Sequence, residues 1–269
     1  MRRMPVIFNK LKYVVQNHVA VIKMDAPANL NAIDEEMADE LLKAMQAAEE
    51  DQDVNVILLK GAEKSFSAGG DIKFFYQKIQ SGEDVNIDEL IHKVDLLTNF
   101  MKRMTKLSVT CVNGTVAGAG VSLALSCDFM ICSERSRFIL AFVNLGLVPD
   151  TGAVYLLAKS IGAARTMELA VTGRPLSAGE AKELGIAYEL TAPEKLDEVC
   201  AEFAEQLSRG PLVSYKNIKK QVYDACYSDY QSWLEETELT AQHDCAASAD
   251  FREGVSAFME KRRPEFTGK

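Results

Sequence analysis

Three short stretches of the chain carry residue types that could do chemistry. Phe66-Ser67-Ala68-Gly69-Gly70-Asp71 is a run of small residues on a loop. Small side chains let main-chain N–H groups approach a ligand closely. Gly118-Ala119-Gly120 opens a second small-residue segment, read as a helix from about 117 to 126. A helix N-terminus presents unpaired N–H groups and the positive end of the dipole. Together the two runs could receive a developing negative charge. The third stretch is Leu147-Val148-Pro149-Asp150-Thr151-Gly152. Its Asp150 has two readings: the cap of a helix over 153–160, or a carboxylate base.

Rival chemistries find less support. A dinucleotide fingerprint would need a third glycine where Leu123 stands, directly after a strand rather than after a turn. Ser122 lacks the G-x-S-x-G context of a hydrolase nucleophile. The six cysteines and three histidines show no zinc spacing, so no metal is expected. With 30 basic and 39 acidic residues, the net charge of −9 disfavours non-specific nucleic-acid binding. A local basic spot could still hold a phosphate.

The elements that must position these residues follow from periodicity and punctuation. Val19 to Met24 and Val54 to Leu59 read as strands, rich in β-branched residues. Between them Asp34 can cap a helix from about 35 to 50, with Met37, Leu41, Met45 and Ala48 on one face. The polar segment from Ser81 to Asp88 precedes a helix bearing Leu90, Ile91, Val94, Leu97, Met101 and Met104. Leu107 to Cys127 is uncharged and long enough to span a bilayer, but its polar residues and the Asn113-Gly114 turn favour a buried strand, 108–112, and a buried helix. Phe129 to Cys132 is a further strand. Beyond about 190 the pattern is wholly helical: about 195–208, 212–226, 229–246 and 249–259. The expected architecture is therefore an α/β core, residues 1–195, and a helical region, residues 196–269. No fixed-period repeat is present. At 269 residues, 48% of them hydrophobic, the chain can bury a core without disulfides. Cys111, Cys127 and Cys132 have apolar neighbours and read as reduced and buried. Met1-Arg2-Arg3-Met4-Pro5 carries no apolar signal core, so a cytoplasmic location is expected.

Read in order, the motifs resemble the crotonase superfamily, the enoyl-CoA hydratase/isomerase family. The resemblance rests on Phe66 to Ile72, on Val112-Asn113-Gly114 through Gly120 with Leu123-Ala124 and Cys127-Asp128, and on Thr172-Gly173 with Leu176-Ser177-Ala178, Ala181 and Gly185. The tail Arg252-Glu253-Gly254-Val255-Ser256-Ala257-Phe258 with Lys261-Arg262 extends it over about the whole chain. It implies a ClpP-like spiral of ββα units with C-terminal trimerisation helices, hence a homotrimer or dimer of trimers. It also implies an acyl-CoA or acyl-ACP thioester as substrate. Coenzyme A or phosphopantetheine would then be part of the substrate, with no separate cofactor.

Carried over residue by residue, the resemblance implies an oxyanion hole made by the Ala68 and Ala119 N–H groups. Ala119 stands where the family usually has the middle of three glycines, and a backbone donor tolerates that change. The hydratase members activate water with two glutamates, at positions held here by Ser122 and Asn144, neither of which ionises at neutral pH. The stretch Asn144-Leu145-Gly146-Leu147-Val148-Pro149-Asp150 instead resembles the Δ3,Δ2-enoyl-CoA and trans-2-decenoyl-ACP isomerase branch, whose single acid matches Asp150. The substrate-binding set implied is Ala26, Ala28, Asn31, Ser67, Ala68, Gly69, Gly70, Asp71, Ile72, Gly118, Phe142, Asn144 and Lys261. Lys73 is a further candidate. Lys261-Arg262-Arg263 reads either as a solvated helix end or as a grip on the carrier's phosphates. Trp233, Tyr223, Tyr227, Tyr230 and Phe251 read as core or interface packing.

Overall fold

The computed structural model describes residues 8–62, 64–82 and 87–269. The chain opens with an antiparallel hairpin of β1 (Leu11–Gln16) and β2 (Val19–Met24). The hairpin turns through Asn17 and His18, both at positive φ, as two-residue loops of this kind require. β1 buries little beyond Leu11, so it carries no clear alternation from which it could be read in the sequence. Asp34 then caps α1 (Glu35–Glu50) by accepting the Met37 N–H at 2.9 Å.

From here the chain winds as a spiral. Each turn lays one strand in a large sheet and the next in a small sheet, then returns by helix. The first turn is β3 (Val56–Lys60), β4 (Ser65–Ser67), α2 (Ile72–Gln80) and α3 (Asp88–Arg103). The second is β5 (Leu107–Val112), β6 (Thr115–Ala117) and α4 (Ala119–Ser126). The third is β7 (Phe129–Ser133), β8 (Arg137–Ile139), α5 (Ala153–Ile161) and α6 (Ala163–Thr172). The chain then adds β9 (Leu176–Ser177), α7 (Ala178–Glu183) and β10 (Glu189–Thr191). The large sheet runs β1-β2-β3-β5-β7-β10, parallel except for β1, and the small one β4-β6-β8-β9, parallel except for β9. The repeat is one of structure, which is why no sequence period reveals it.

The large sheet is covered on both faces, so its central strands read as continuous apolar runs. Val56 and Leu58 face one side with Val109, Cys111 and Ile131. Leu196, Cys200, Ala204 and Leu207 of α8 (Leu196–Ser208) cover them. Ile57 and Leu59 face the other side and join the main core with α1 and α3. After α9 (Leu212–Cys226) comes a helical run of three pieces. These are α10 (Tyr230–Ser232), a π-helical turn (Trp233–Glu238) and α11 (Leu239–Ala246). α12 (Ala249–Glu260) closes the fold, with Phe251 edge-on to Phe75 of α2. All six cysteines are free thiols, and Cys111, Cys127, Cys132 and Cys200 are buried. Among the described residues no helix is long and apolar enough to cross a membrane. The uncharged stretch from 107 to 127 is the buried strand–turn–helix β5-β6-α4.

Candidate active site

The two small-residue loops meet. A Cβ on Gly120 would stand 2.8 Å from that of Ser67, and one on Gly69 would stand 2.8 Å from the Ala117 carbonyl oxygen. Only glycine permits so close a contact, and Gly118 (φ 50, ψ −130) adds a conformation that side chains avoid. Loop 66–71 is also pinned to the preceding loop: Ile33 N–H donates to Gly69 O at 2.7 Å, and Ala68 N–H to Leu30 O at 3.0 Å.

That last bond corrects an expectation. The Ala68 N–H is already engaged, so it is no open donor. Gly70 lines the cavity, and its N–H finds no acceptor among the described residues. Ala119 is the first residue of α4, so its N–H has no intrahelical acceptor, and it lines the same cavity. Gly70 and Ala119 are thus two lining residues whose N–H groups have no acceptor among the described residues.

The cavity has a volume of about 450 Å³. Ile87 at the N-cap of α3, with Leu90, Ile91 and Val94 of that helix, forms one apolar wall, and Phe142, Leu145 and Leu147 another. Asp150 is the one carboxylic acid among the described residues lining it, and Lys64 the one cation. Asp150 does not cap α5. The N-cap is Gly152, and no side chain caps that helix end. The Asp150 carboxyl instead faces inward. Its Oδ2 accepts the Gln242 amide at 2.8 Å, while its buried Oδ1 has no partner among the described residues. Burial pushes its pKa up to about 7, against the hydrogen bonds from Gln242 and Thr151 that lower it. A carboxyl poised there is ionised often enough to take a proton and basic enough to hold it.

The loop carrying Asp150 is tightly held. Its carbonyl accepts the hydroxyls of Ser122 at 3.0 Å and Thr151 at 2.8 Å. Thr151 sits at φ 55, unusual for a β-branched residue and a sign that neighbours impose the backbone. Gly152 N–H donates to both carboxyl oxygens of Glu238 at 3.0 Å. Glu238 and Asp95 of α3 are further buried carboxyls beside Asp150. Burial, and then the like charges around them, push Glu238 up to about 9 and Asp95 up to about 8.

The remaining expected residues divide into lining and supporting ones. Ala68, Gly70, Ile72, Gly118, Phe142 and Asn144 line the cavity, with Asn144 exposed at the rim. Asn31, Ser67 and Asp71 support it. Buried Asn31 accepts the Ala26 N–H and donates to Phe66 O; Ser67 donates to Asn31 O and accepts the Gly69 N–H; Asp71 caps α2 at Lys73 N–H. Ala26, Ala28, Gly69 and Lys261 do not line the cavity. Of the basic run, Arg262 is paired with Glu253 and Glu260. Ser122, read as the place of a missing glutamate, is fully buried in α4 and holds the Asp150 carbonyl. Sequence reasoning missed Gln242 and Glu238. A signal existed: Tyr230, Leu234, Glu238 and Gln242 follow a spacing of four, and all are buried. Two polar residues on such a stripe demand buried partners.

Known proteins share this plan. The family model for enoyl-CoA hydratase/isomerase matches residues 15–269. The trans-2-decenoyl-[acyl-carrier-protein] isomerase of Streptococcus mutans is 39% identical over 97% of this chain and 99% of its own. The 1,2-epoxyphenylacetyl-CoA isomerase of Escherichia coli is 34% identical over 95% of this chain and 97% of its own. A crystal structure of an enoyl-CoA hydratase from Mycobacterium avium subsp. paratuberculosis superposes with a TM-score of 0.88 at 29% identity. It covers 97% of this chain and 100% of that one. The names include both isomerases and a hydratase.

Proposed function

Because the chain belongs to the enoyl-CoA hydratase/isomerase family, we propose that it shifts the double bond of an enoyl thioester from the 3- to the 2-position, with Asp150 as its single proton carrier. The observation that carries this reading is that Asp150 is the one carboxyl among the described residues lining the cavity. Activation of water by a pair of acids finds no second acid among the described lining residues. A 1,3-proton shift needs only one. Asp150 Oδ1 takes a proton from C2 of the 3-enoyl thioester. The electron pair delocalises over C2 to C4 and onto the thioester oxygen. The Gly70 and Ala119 N–H groups stabilise that oxygen as it gains charge, an effect typically worth about 3 kcal/mol per donor. The same carboxyl returns the proton to C4, and no water is consumed. The apolar wall from α3 suits an acyl chain, and the carrier, CoA or acyl-carrier protein, remains part of the substrate. The trimeric assembly expected from the family belongs to the same proposal.

The test is to mix the protein with a trans-3-enoyl-CoA and, separately, a trans-2-enoyl-CoA, and to follow the conjugated-thioester absorbance. A rise with the first and no decay with the second is the expected result. Rapid decay of the second means that water is being added, and it overturns the one-acid reading. Repeating both arms with acyl-carrier-protein thioesters identifies the carrier.

A further inference from the structure

We propose that Gln242, on helix α11 of the C-terminal helical region, is the positioning residue that orients the Asp150 carboxyl and keeps it ionisable. This rests on the reading of Asp150 as the base.

The geometry is specific. Gln242 is fully buried, and 92 residues separate it from Asp150. Its Nε2 donates to Asp150 Oδ2 at 2.8 Å, and its Oε1 accepts the Val148 N–H at 3.3 Å. These opposed partners leave one orientation for the amide: a carboxylate can only accept and an N–H can only donate. Oδ2 is thereby anchored, and Oδ1 is the oxygen left without a partner among the described residues. One turn earlier on the same helical face, Glu238 holds Gly152 N–H. The loop is thus splinted at Val148, Asp150 and Gly152 by a single helical run. That run enters through a π-helical turn at Trp233–Glu238, a distortion that often accompanies functional sites.

The electrostatic surroundings show why a neutral donor stands there. Asp95 of α3 and Glu238 of the π-helical turn lie close enough that the Asp150 charge raises the pKa of both, while Glu235 acts on Asp95. Tyr230 lies behind them, its hydroxyl on Thr98, and Cys245 lies beside Val148. His243 turns outward to Asp88. Burial favours a protonated Asp150, whereas the Gln242 amide, ahead of the hydrogen bond from Thr151, favours the ionised form. Without that amide the base would hold its proton to higher pH and lose its fixed aim.

The experiment compares Gln242→Leu, Gln242→Glu and Asp150→Asn with the unmodified protein, using a trans-3-enoyl-CoA across pH. Gln242→Leu is expected to lower kcat on the order of 10–100-fold with KM little changed. Its acid limb should move up by about one to two pH units, the loss of one hydrogen bond to a charged group. Gln242→Glu keeps the volume and can donate while protonated. It should be active where the carboxyl pair is singly ionised, and it should decline at alkaline pH, where the unmodified protein does not. If Gln242→Leu folds and keeps the original limb and kcat, the proposal is overturned. It is also overturned if activity merely follows lost thermal stability with the limb unmoved. Should Gln242→Leu not fold, a Gln242→Glu profile without an alkaline decline overturns it alone. Asp150→Asn separates the two readings. If that variant stays active, the base assignment fails and the Gln242 proposal with it. If it is inactive while the Gln242 variants behave as the unmodified protein, the Gln242 proposal alone fails.

Discussion

The two polar sides of the cavity are built by opposite means. On one side, loops 66–71 and 117–120 offer main-chain N–H groups, and Ala68, Gly69, Gly70, Gly118, Ala119 and Gly120 keep the loops small where they meet. A Cβ on Gly69, Gly118 or Gly120 would meet backbone or Ser67 at van der Waals contact or less, so the close approach of the two loops is set by the spiral itself. On the other side a single side chain, Asp150, is the proposed base, and it is held by groups from α4, α11 and the π-helical turn. A backbone donor survives substitution of its own residue, as Ala119 illustrates. A buried acid depends on residues far away in sequence, because the cost of burying it must be offset by partners.

The contrast can be broken at several points. Asp150→Asn keeps the shape and removes the base; isomerisation should fall about 10³-fold or more, read as initial rate on a trans-3-enoyl-CoA. Ala119→Pro deletes one N–H at a first helical position, where proline's φ is at home. It should cost about 10²–10³-fold in kcat with the fold retained, whereas Ala119→Ser, which keeps the N–H, should stay close to the original rate. Equal losses in the two Ala119 variants would mean that the side chain matters and the donor does not. With Asp150 pushed up to about 7, the base is ionised above that value and protonated below it. Thus kcat/KM should fall about tenfold per pH unit on the acid side and level off on the alkaline side.

Smaller effects report on the support. Glu238, pushed up to about 9 from an ordinary 4.5, keeps its proton when folded and loses it when unfolded across that window. Stability should therefore decline as pH rises between those values. Glu238→Gln removes that slope, so its gain in Tm over the unmodified protein should grow from acid to alkaline pH by calorimetry. Ser122→Ala removes one of two hydroxyls on the Asp150 carbonyl. It should cost about 1 kcal/mol in chemical denaturation, with little effect on rate.

Much of the frame was readable from local pattern. The Asp34 cap, the apolar stripe of α1, the strand–turn–helix of β5-β6-α4 and the helices beyond 195 all follow from spacing and capping residues within a few positions. What escaped was weakly patterned or distant. β1 shows one buried residue and α2 follows a loop rich in glycine, so neither announces itself. Asn31 and Asp71 were expected at the ligand because the family resemblance places their segments around the substrate. Their side chains turn back to the backbone and hold that loop instead.

The sequence by itself determined which groups are available: small-residue loops that expose main-chain donors, one carboxylate after Pro149, and no acid at Ser122 or Asn144. These are properties of residue type and short spacing. Only the tertiary structure decided which groups are usable. It committed the Ala68 N–H to Leu30 and left Gly70 open. It drew Asp150 away from the helix end and buried it, which moved its proton affinity toward neutrality. It also brought Gln242 to its carboxyl across 92 residues. Hydrogen-bond competition and desolvation depend on every neighbour in space, and those neighbours come from turns of the spiral that the local sequence does not see.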